Sequence, residues 1–154
     1  MELGLFDQVA DGLRAMVDPR LGDLRCAPRR WGIKAWFDLD ECPREHYEAQ
    51  LVGVRHVPEA ELLALEVGFH AEQPRPQDNE AAFEPLRRKE AGRDGWRRAL
   101  GDEAELGPFI GRKGWLRLSE VWIDPDLSDP ELCFELADRL ATYLNVVEPL
   151  RWPD

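Results

Sequence analysis

The sequence predicts an α+β fold, in which a two-layer antiparallel sheet of about five strands has helices packed mainly on one face. Three observations lead to this fold class. Apolar residues alternate in the middle of the chain, they recur at helical spacing towards both ends, and short connections separate the strand-like segments. Short connections join antiparallel neighbours, and such sheets bury one face. The predicted order is α-β-β-β-α-(α)-β-β-α, within a single domain over residues 1–154.

The first quarter of the chain is amphipathic. Apolar residues from Leu5 onward recur at helical spacing, which predicts a helix over residues 3–17 that ends before Pro19. Residues 25–30 are rich in arginine and proline and are expected to form a loop. The strict alternation that follows predicts a half-buried strand over residues 31–39.

A central hairpin is predicted from strands over residues 47–56 and 62–72, joined by residues 57–60. The expected antiparallel register places Glu48 opposite His70, and the apolar side chains of both strands face the core. The other face then carries the polar residues Glu48, Gln50, Glu66 and His70, with His46 at the edge of its strand.

The second half of the chain is predicted to add two helices, two strands and a last helix. The helices are expected over residues 79–90 and 94–100, and the strands over residues 109–110 and 115–123. The spacing of Ser128 and Glu131 fits a capping box, which predicts the start of the last helix at this point.

Composition and charge narrow the classes of partner. The formal net charge of −11 makes nucleic acid and anionic membranes unexpected partners, because both attract cationic surfaces. No apolar run is long enough to span a bilayer. The three cysteines are too widely spaced for a disulfide framework, and the N-terminus lacks the pattern of a secretory signal. These features predict a cytoplasmic protein.

Motifs of several enzyme classes are absent from the sequence. It contains no G-x-x-x-x-G-K-[ST], no G-x-G-x-x-G after a strand and no G-x-S-x-G. Those motifs cradle phosphates or expose a serine nucleophile. We therefore predict no cofactor and no catalytic residue, and we expect the chain to act by binding rather than by catalysis.

The second face of the predicted sheet offers the best candidate binding surface. It combines a tryptophan with charged and polar groups, namely Lys34, Trp36, Asp38, Glu48, Gln50, Glu66 and His70. Tryptophan suits interfaces because it buries much area at a small rotamer cost. The element order also resembles that of bacterial secretion chaperones, which implies a small binding module. We therefore expect an accessory protein whose open sheet face takes a protein partner. A homodimer through the last strand or helix is an open alternative.

The same face supports a second hypothesis, a small-molecule or metal-dependent enzyme. Glu48, Glu66 and His70, with His46 in support, could ligate a divalent metal or share a proton. The plainer interpretation is an exposed polar face with cross-strand ion pairs. Because H-E-x-x-H, C-x-x-C and H-x-H are all absent, we assign no metal ligand from the sequence.

Two other groups of residues carry reactive or charged side chains. Cys42 lies four residues before His46, but acidic neighbours disfavour its thiolate, so that Cys26, beside arginines, is expected to be the better thiolate. A run of basic residues is interpreted as solvated helix faces that pair with acidic neighbours, namely Arg87, Arg88, Lys89, Arg93, Arg97 and Arg98.

Overall fold

A computed structural model describes residues 4–153 of the chain, so the predicted helix start at Leu3 lies outside it. Its α-helices are α1 (Leu5–Met16), α2 (Pro76–Arg88), α3 (Trp96–Leu100) and α4 (Leu132–Val147). Its strands are β1 (Leu24–Pro28), β2 (Gly32–Phe37), β3 (Glu45–Gly53), β4 (Leu63–Ala71), β5 (Glu105–Phe109) and β6 (Arg112–Ile123). None of the helices in this part of the chain is long and apolar enough to cross a membrane.

The strands form one antiparallel sheet in the order β1-β2-β3-β4-β6-β5. The predicted α+β class is confirmed, with six strands in place of about five. The additional strand is β1, and the prediction of a loop over residues 25–30 was therefore wrong. Pro28 is tolerated at the end of β1 because β1 is an edge strand, where one missing N–H donor breaks no central ladder.

The main hydrophobic core lies between one face of the sheet and the helices, as predicted. Phe69, in the middle of β4, is fully buried there between Tyr47 of β3 and Phe83 of α2. The apolar stripes of α1 and α4 cover the same face, and α1 packs directly on α4. This layer fixes which side chains of each strand point away from the core, and those side chains form the candidate site.

Three helix starts differ from the predicted ones, with α3 beginning at Trp96 and larger differences at α2 and α4. Helix α2 begins at Pro76, a residue that suits the first helical position because its missing N–H would be unpaired there anyway. Helix α4 begins at Leu132, and the predicted capping box does not form. The Ser128 hydroxyl donates instead to Asp126 Oδ1 at 2.6 Å, because a local turn competes with the helix for this side chain.

The central hairpin has a longer loop than predicted. Strand β3 ends at Gly53 and residues 54–62 form the connection, so the register pairs His46 with His70 and Glu48 with Gly68. The predicted pairing of Glu48 with His70 was wrong by two residues. An even shift keeps each side chain on its face, and the division into a core face and a polar face therefore holds.

The polar face is partly covered by the protein itself. Residues from the 54–62 loop and the β5–β6 turn form a small second apolar cluster, which includes Val57, Ala60 and Ile110. Phe109, at the end of β5, packs edge-on against the His70 ring with the ring centres 4.8 Å apart. The expectation of an open sheet face is therefore wrong around His70, which lies beneath this cover.

The replacement Gly68→Ala is expected to lower the free energy of unfolding by about 2 kcal/mol, because overpacking in a fixed environment costs this much. An added Cβ would lie 2.5 Å from the Ser119 Cα and would also collide with the Leu118 carbonyl oxygen, so backbone would have to move. The matched control is Gly107→Ala in β5, where no described atom lies within 4 Å of the added Cβ. Urea unfolding of both variants measures the difference, and equal stabilities would contradict this account of Gly68.

Candidate metal centre

Four side chains meet on the polar face of the central hairpin. His46 and Glu48 come from β3, and His70 and Glu72 come from the end of β4 and the residue directly after it. Residues two apart on a strand point to the same face, so each His-x-Glu pair presents both of its side chains together. His46 lies opposite His70 in the hairpin, so the two His-x-Glu segments place their side chains around one point.

The donor atoms of this four-residue cluster lie close together. His46 Nε2 is 3.0 Å from Glu48 Oε1 and 3.4 Å from Glu72 Oε1. His70 Nδ1 is 3.3 Å from Glu48 Oε1 and 3.6 Å from Glu72 Oε2. One donor atom can be chosen from each residue so that all four lie within 4.8 Å of one another.

Further hydrogen bonds fix the orientation of both rings. His46 Nδ1 lies 2.8 Å from the Pro43 carbonyl oxygen, and His70 Nε2 lies 2.7 Å from Glu66 Oε2. Both oxygens can only accept, so these nitrogens carry the protons. The second nitrogens, His46 Nε2 and His70 Nδ1, face the cluster. His46 Nε2 is hydrogen-bonded to Glu48 Oε1, and its lone pair becomes available to an ion when its proton is lost. Glu66 is held in turn by the Gln50 amide at 3.0 Å.

His70 Nδ1 is the most informative atom of the site. The side chain is fully buried, and this nitrogen makes no hydrogen bond within the described part of the chain. Buried polar atoms almost always have a partner, so each exception calls for an explanation. The nearest polar atoms are the carboxylate oxygens of Glu48 and Glu72, which are themselves acceptors.

The electrostatics of the cluster favour positive charge at its centre. Burial lowers the pKa of His46, but hydrogen bonds to Cys42 and Glu48 and the charge of Glu72 outweigh burial and raise it to about 9. Burial also opposes the charged form of His70, yet the Glu66 charge and the neighbouring carboxylates raise its pKa well above the usual value. Burial raises the pKa of Glu48, whereas the two histidines lower it to about 2.

The nitrogen–oxygen distances are close to those around a four-coordinate metal ion. An ion about 2.0–2.1 Å from four tetrahedral donors holds these donors about 3.3–3.4 Å apart. The four separations between the histidine nitrogens and the carboxylate oxygens run from 3.0 to 3.6 Å, with one oxygen of Glu72 near each histidine. The full set of four donors, within 4.8 Å, would have to contract slightly around an ion. Glu66 and the Pro43 carbonyl oxygen would act as outer partners of the two imidazoles, an arrangement typical of metal-bound histidines.

The seven residues of the predicted binding surface do not all join the cluster. Glu48, Glu66, Gln50 and His70 come together, and Lys34 pairs with Glu48 across β2 and β3. Trp36 is buried, and its indole N–H donates to the Leu39 carbonyl oxygen at 2.7 Å. Asp38 lies apart in a turn, where its side chain accepts from the Asp23 N–H.

Glu72 was left out of the site predicted from the sequence, and His46 was placed at the edge of its strand. The repeated His-x-Glu was present in the sequence as 46–48 and 70–72, and it would have placed all four side chains on one face. The predicted register, which paired Glu48 with His70, would also have paired His46 with Glu72. The register error therefore did not hide Glu72, and the predicted strand over residues 62–72 included it.

The other reactive and basic residues do not form a second site. Burial raises the pKa of the Cys26 thiol, although the Arg14 charge opposes this, so the prediction of a favoured Cys26 thiolate was wrong. The interpretation of the basic run as paired helix faces is confirmed for three arginines. Their ion pairs are Arg87 with Glu80, Arg88 with Glu84 and Arg97 with Glu90.

Comparisons with known proteins found no relative of this chain. No protein-family model, no curated protein and no solved structure matches the chain.

Proposed function

We propose that this protein binds one divalent transition-metal ion through His46, Glu48, His70 and Glu72. The observation that carries the proposal is the buried His70 Nδ1, which has no hydrogen-bond partner among residues 4–153 and faces two carboxylates. A cation between these groups would give the nitrogen and the oxygens a common partner. The proposal develops the metal-dependent hypothesis from the sequence, with Glu72 added as a ligand and Glu66 moved to an outer, orienting role.

The donor set indicates which class of ion the site would take. Two imidazole nitrogens and two carboxylates suit Zn²⁺, Fe²⁺, Mn²⁺, Co²⁺ or Ni²⁺. Ca²⁺ and Mg²⁺ prefer oxygen ligands alone. All four donors come from one face of two adjacent strands. An ion that prefers five or six ligands would therefore have coordination positions left for water or a substrate.

A buried ion-pair network is the alternative explanation of the same geometry. In that case two protonated histidines, rather than a metal ion, would offset part of the negative charge of Glu48, Glu66 and Glu72. The two explanations differ at His70 Nδ1. In the network this nitrogen carries a proton between Glu48 at 3.3 Å and Glu72 at 3.6 Å without a well-directed hydrogen bond, whereas with a metal ion it is a ligand. Binding of a protein partner, expected from the sequence, stays a prediction that the geometry of the cluster does not address.

Metal content is the direct test. Protein stripped with a chelator and dialysed against Zn²⁺, Mn²⁺, Co²⁺ or Ni²⁺ is expected to retain one equivalent of a preferred ion, measured by inductively coupled plasma mass spectrometry. His46→Ala and His70→Ala are each expected to lose it, because each removes one of four ligands. Glu66→Gln is expected to weaken the affinity by about 10- to 100-fold, as is usual for outer partners.

The matched control for these variants is His56→Ala. His56 is the one histidine of the chain that does not belong to the cluster, and it is exposed in the 54–62 loop. The His56→Ala variant should therefore retain the ion at the wild-type level. Circular dichroism spectra identify any variant that fails to fold, and Glu72→Gln offers a milder ligand substitution. Wild-type protein that retains none of these ions would overturn the proposal.

A further inference from the structure

A small pocket lies beside the proposed metal centre, over strands β1 to β3. Its volume is about 190 Å³, and one of its walls is Glu48, a proposed metal ligand. The histidine side chains of the centre are at most 2% exposed, whereas the side chain of Glu48 is 11% exposed. This pocket therefore gives solvent a route to the centre through a carboxylate ligand.

A glycine lines the pocket where β2 approaches β3 closely. Gly32 occupies the position of β2 that pairs with Gln50 of β3, on the polar face. An added Cβ at Gly32 would lie 2.8 Å from the Ala49 carbonyl oxygen and 3.1 Å from the Gln50 Cβ. A larger residue would therefore strain the pairing of β2 with β3 beside the pocket. Gln50 links the pocket to the centre, because its amide holds Glu66 and Glu66 holds His70.

The opposite wall of the pocket is cationic. Lys34 lies directly across from Glu48, and Arg29 stands at the end of β1, where its backbone N–H donates to the Gly32 carbonyl oxygen. Neither the Lys34 ammonium nor the Arg29 guanidinium has a hydrogen-bonded or ion-pair partner among the residues that the structure describes. In a chain with a net charge of −11, two such cations beside one pocket require a reason.

We propose that this pocket holds the anionic end, a carboxylate or a phosphate, of a small molecule whose other part reaches the metal ion. The inference rests on the proposed metal centre and names the class of ligand that the centre would serve. Arginine supplies a planar fork of donors for an oxyanion and lysine a compact point charge. A volume of about 190 Å³ is below the 300–1,000 Å³ of pockets that enclose whole ligands, so the pocket would hold one end of the molecule. Trp31, which also lines the pocket, offers an exposed ring against which a flat group could pack.

The test uses Co²⁺-loaded protein, because the visible absorption of Co²⁺ responds to changes in its ligands. The probes are 2-mercaptoethyl phosphate and 3-mercaptopropionate, whose thiolate ends can reach the ion, and the neutral comparison is 2-mercaptoethanol. Both anions are expected to perturb the spectrum with saturable affinity and to bind more tightly than 2-mercaptoethanol. The anion with the lower dissociation constant identifies the preferred group, phosphate or carboxylate.

The double variant Arg29→Ala/Lys34→Ala is expected to bind the preferred anion about 10- to 100-fold more weakly, as expected for the loss of charge-assisted hydrogen bonds. It should bind Co²⁺ like wild type, because neither residue is a ligand. Arg93→Ala, which removes an exposed arginine between α2 and α3, is the matched control and should leave anion affinity unchanged. If Co²⁺ binds but no anion binds, or the double variant binds anions like wild type, the pocket inference is overturned while the metal centre stands. If the protein binds none of Zn²⁺, Mn²⁺, Co²⁺ and Ni²⁺, both are overturned.

Discussion

Zn²⁺ at a free concentration of about a thousand times its dissociation constant is expected to raise the free energy of unfolding by about 4 kcal/mol. For a chain of this size the midpoint of thermal unfolding would rise by about 10 °C. The reason is that the four ligands come from two strands that face each other only in the folded hairpin. The unfolded chain has no such preformed site, so that the binding energy adds to the folding energy.

Differential scanning calorimetry with excess Zn²⁺ and with excess chelator measures this shift. The double variant His46→Ala/His70→Ala should show no shift, and His56→Ala should show the full one. A shift of wild-type size in the double variant would place the stabilising ion elsewhere on the protein. The absence of a shift in wild type would mean that the cluster is not the site of binding, or that it forms equally well in the unfolded chain, and either result contradicts the proposed centre.

The sequence was sufficient to assign side chains to faces of the sheet. Alternation of apolar and polar residues placed Glu48, Glu66 and His70 together on the face opposite the core, and the structure agrees. This assignment depends only on the two-residue period of a strand, a local property that the backbone enforces at every step. These three residues were therefore assigned to the correct face of the two strands that carry them.

The register between β3 and β4 and the burial of the polar face could not be predicted from local patterns in the same way. The pairing of His46 with His70 depends on where the 54–62 loop begins, and the predicted strand over residues 47–56 included Val54 and Arg55, which do not join β3. Burial of the polar face depends on contacts between residues far apart in sequence, such as Phe109 against His70. No local pattern in the sequence encodes these contacts, which is why an exposed polar face was the expected result.

The missed strand has a similar cause. Residues of β1 are all half-buried, because an edge strand packs on only one neighbour and borders solvent. The apolar alternation of Leu24 and Cys26 is short and is interrupted by arginine and proline, so its local signal is that of a loop. Its pairing with β2 nevertheless matters for the site, because it brings Arg29 next to the pocket beside Glu48.

Metal-free protein is expected to lose about 3 kcal/mol of stability as the pH rises from about 6.5 to about 9, from His46 alone. The folded-state pKa of about 9 lies above the ordinary histidine value of 6.5, so the folded protein binds the proton more tightly than the unfolded chain does. The stability that protonated His46 contributes is fully present below pH 6.5, and it is lost as the pH rises through the folded-state pKa. His70, whose pKa is also raised, adds to the loss in the same direction.

The metal-bound protein should respond to pH in the opposite direction. Both histidines must give up their protons to bind an ion, so metal affinity rises over the same range in which the metal-free protein weakens. Urea unfolding at pH 6, 7.5 and 9, with chelator and with Zn²⁺, should therefore give two stabilities that diverge as the pH increases. A permanent ion-pair network would show the decline in both conditions, with no difference between them. The difference between the free energies of unfolding with Zn²⁺ and with chelator could instead stay constant from pH 6 to pH 9. The ion would then not compete with protons on His46 and His70, and the ligand assignment would be wrong.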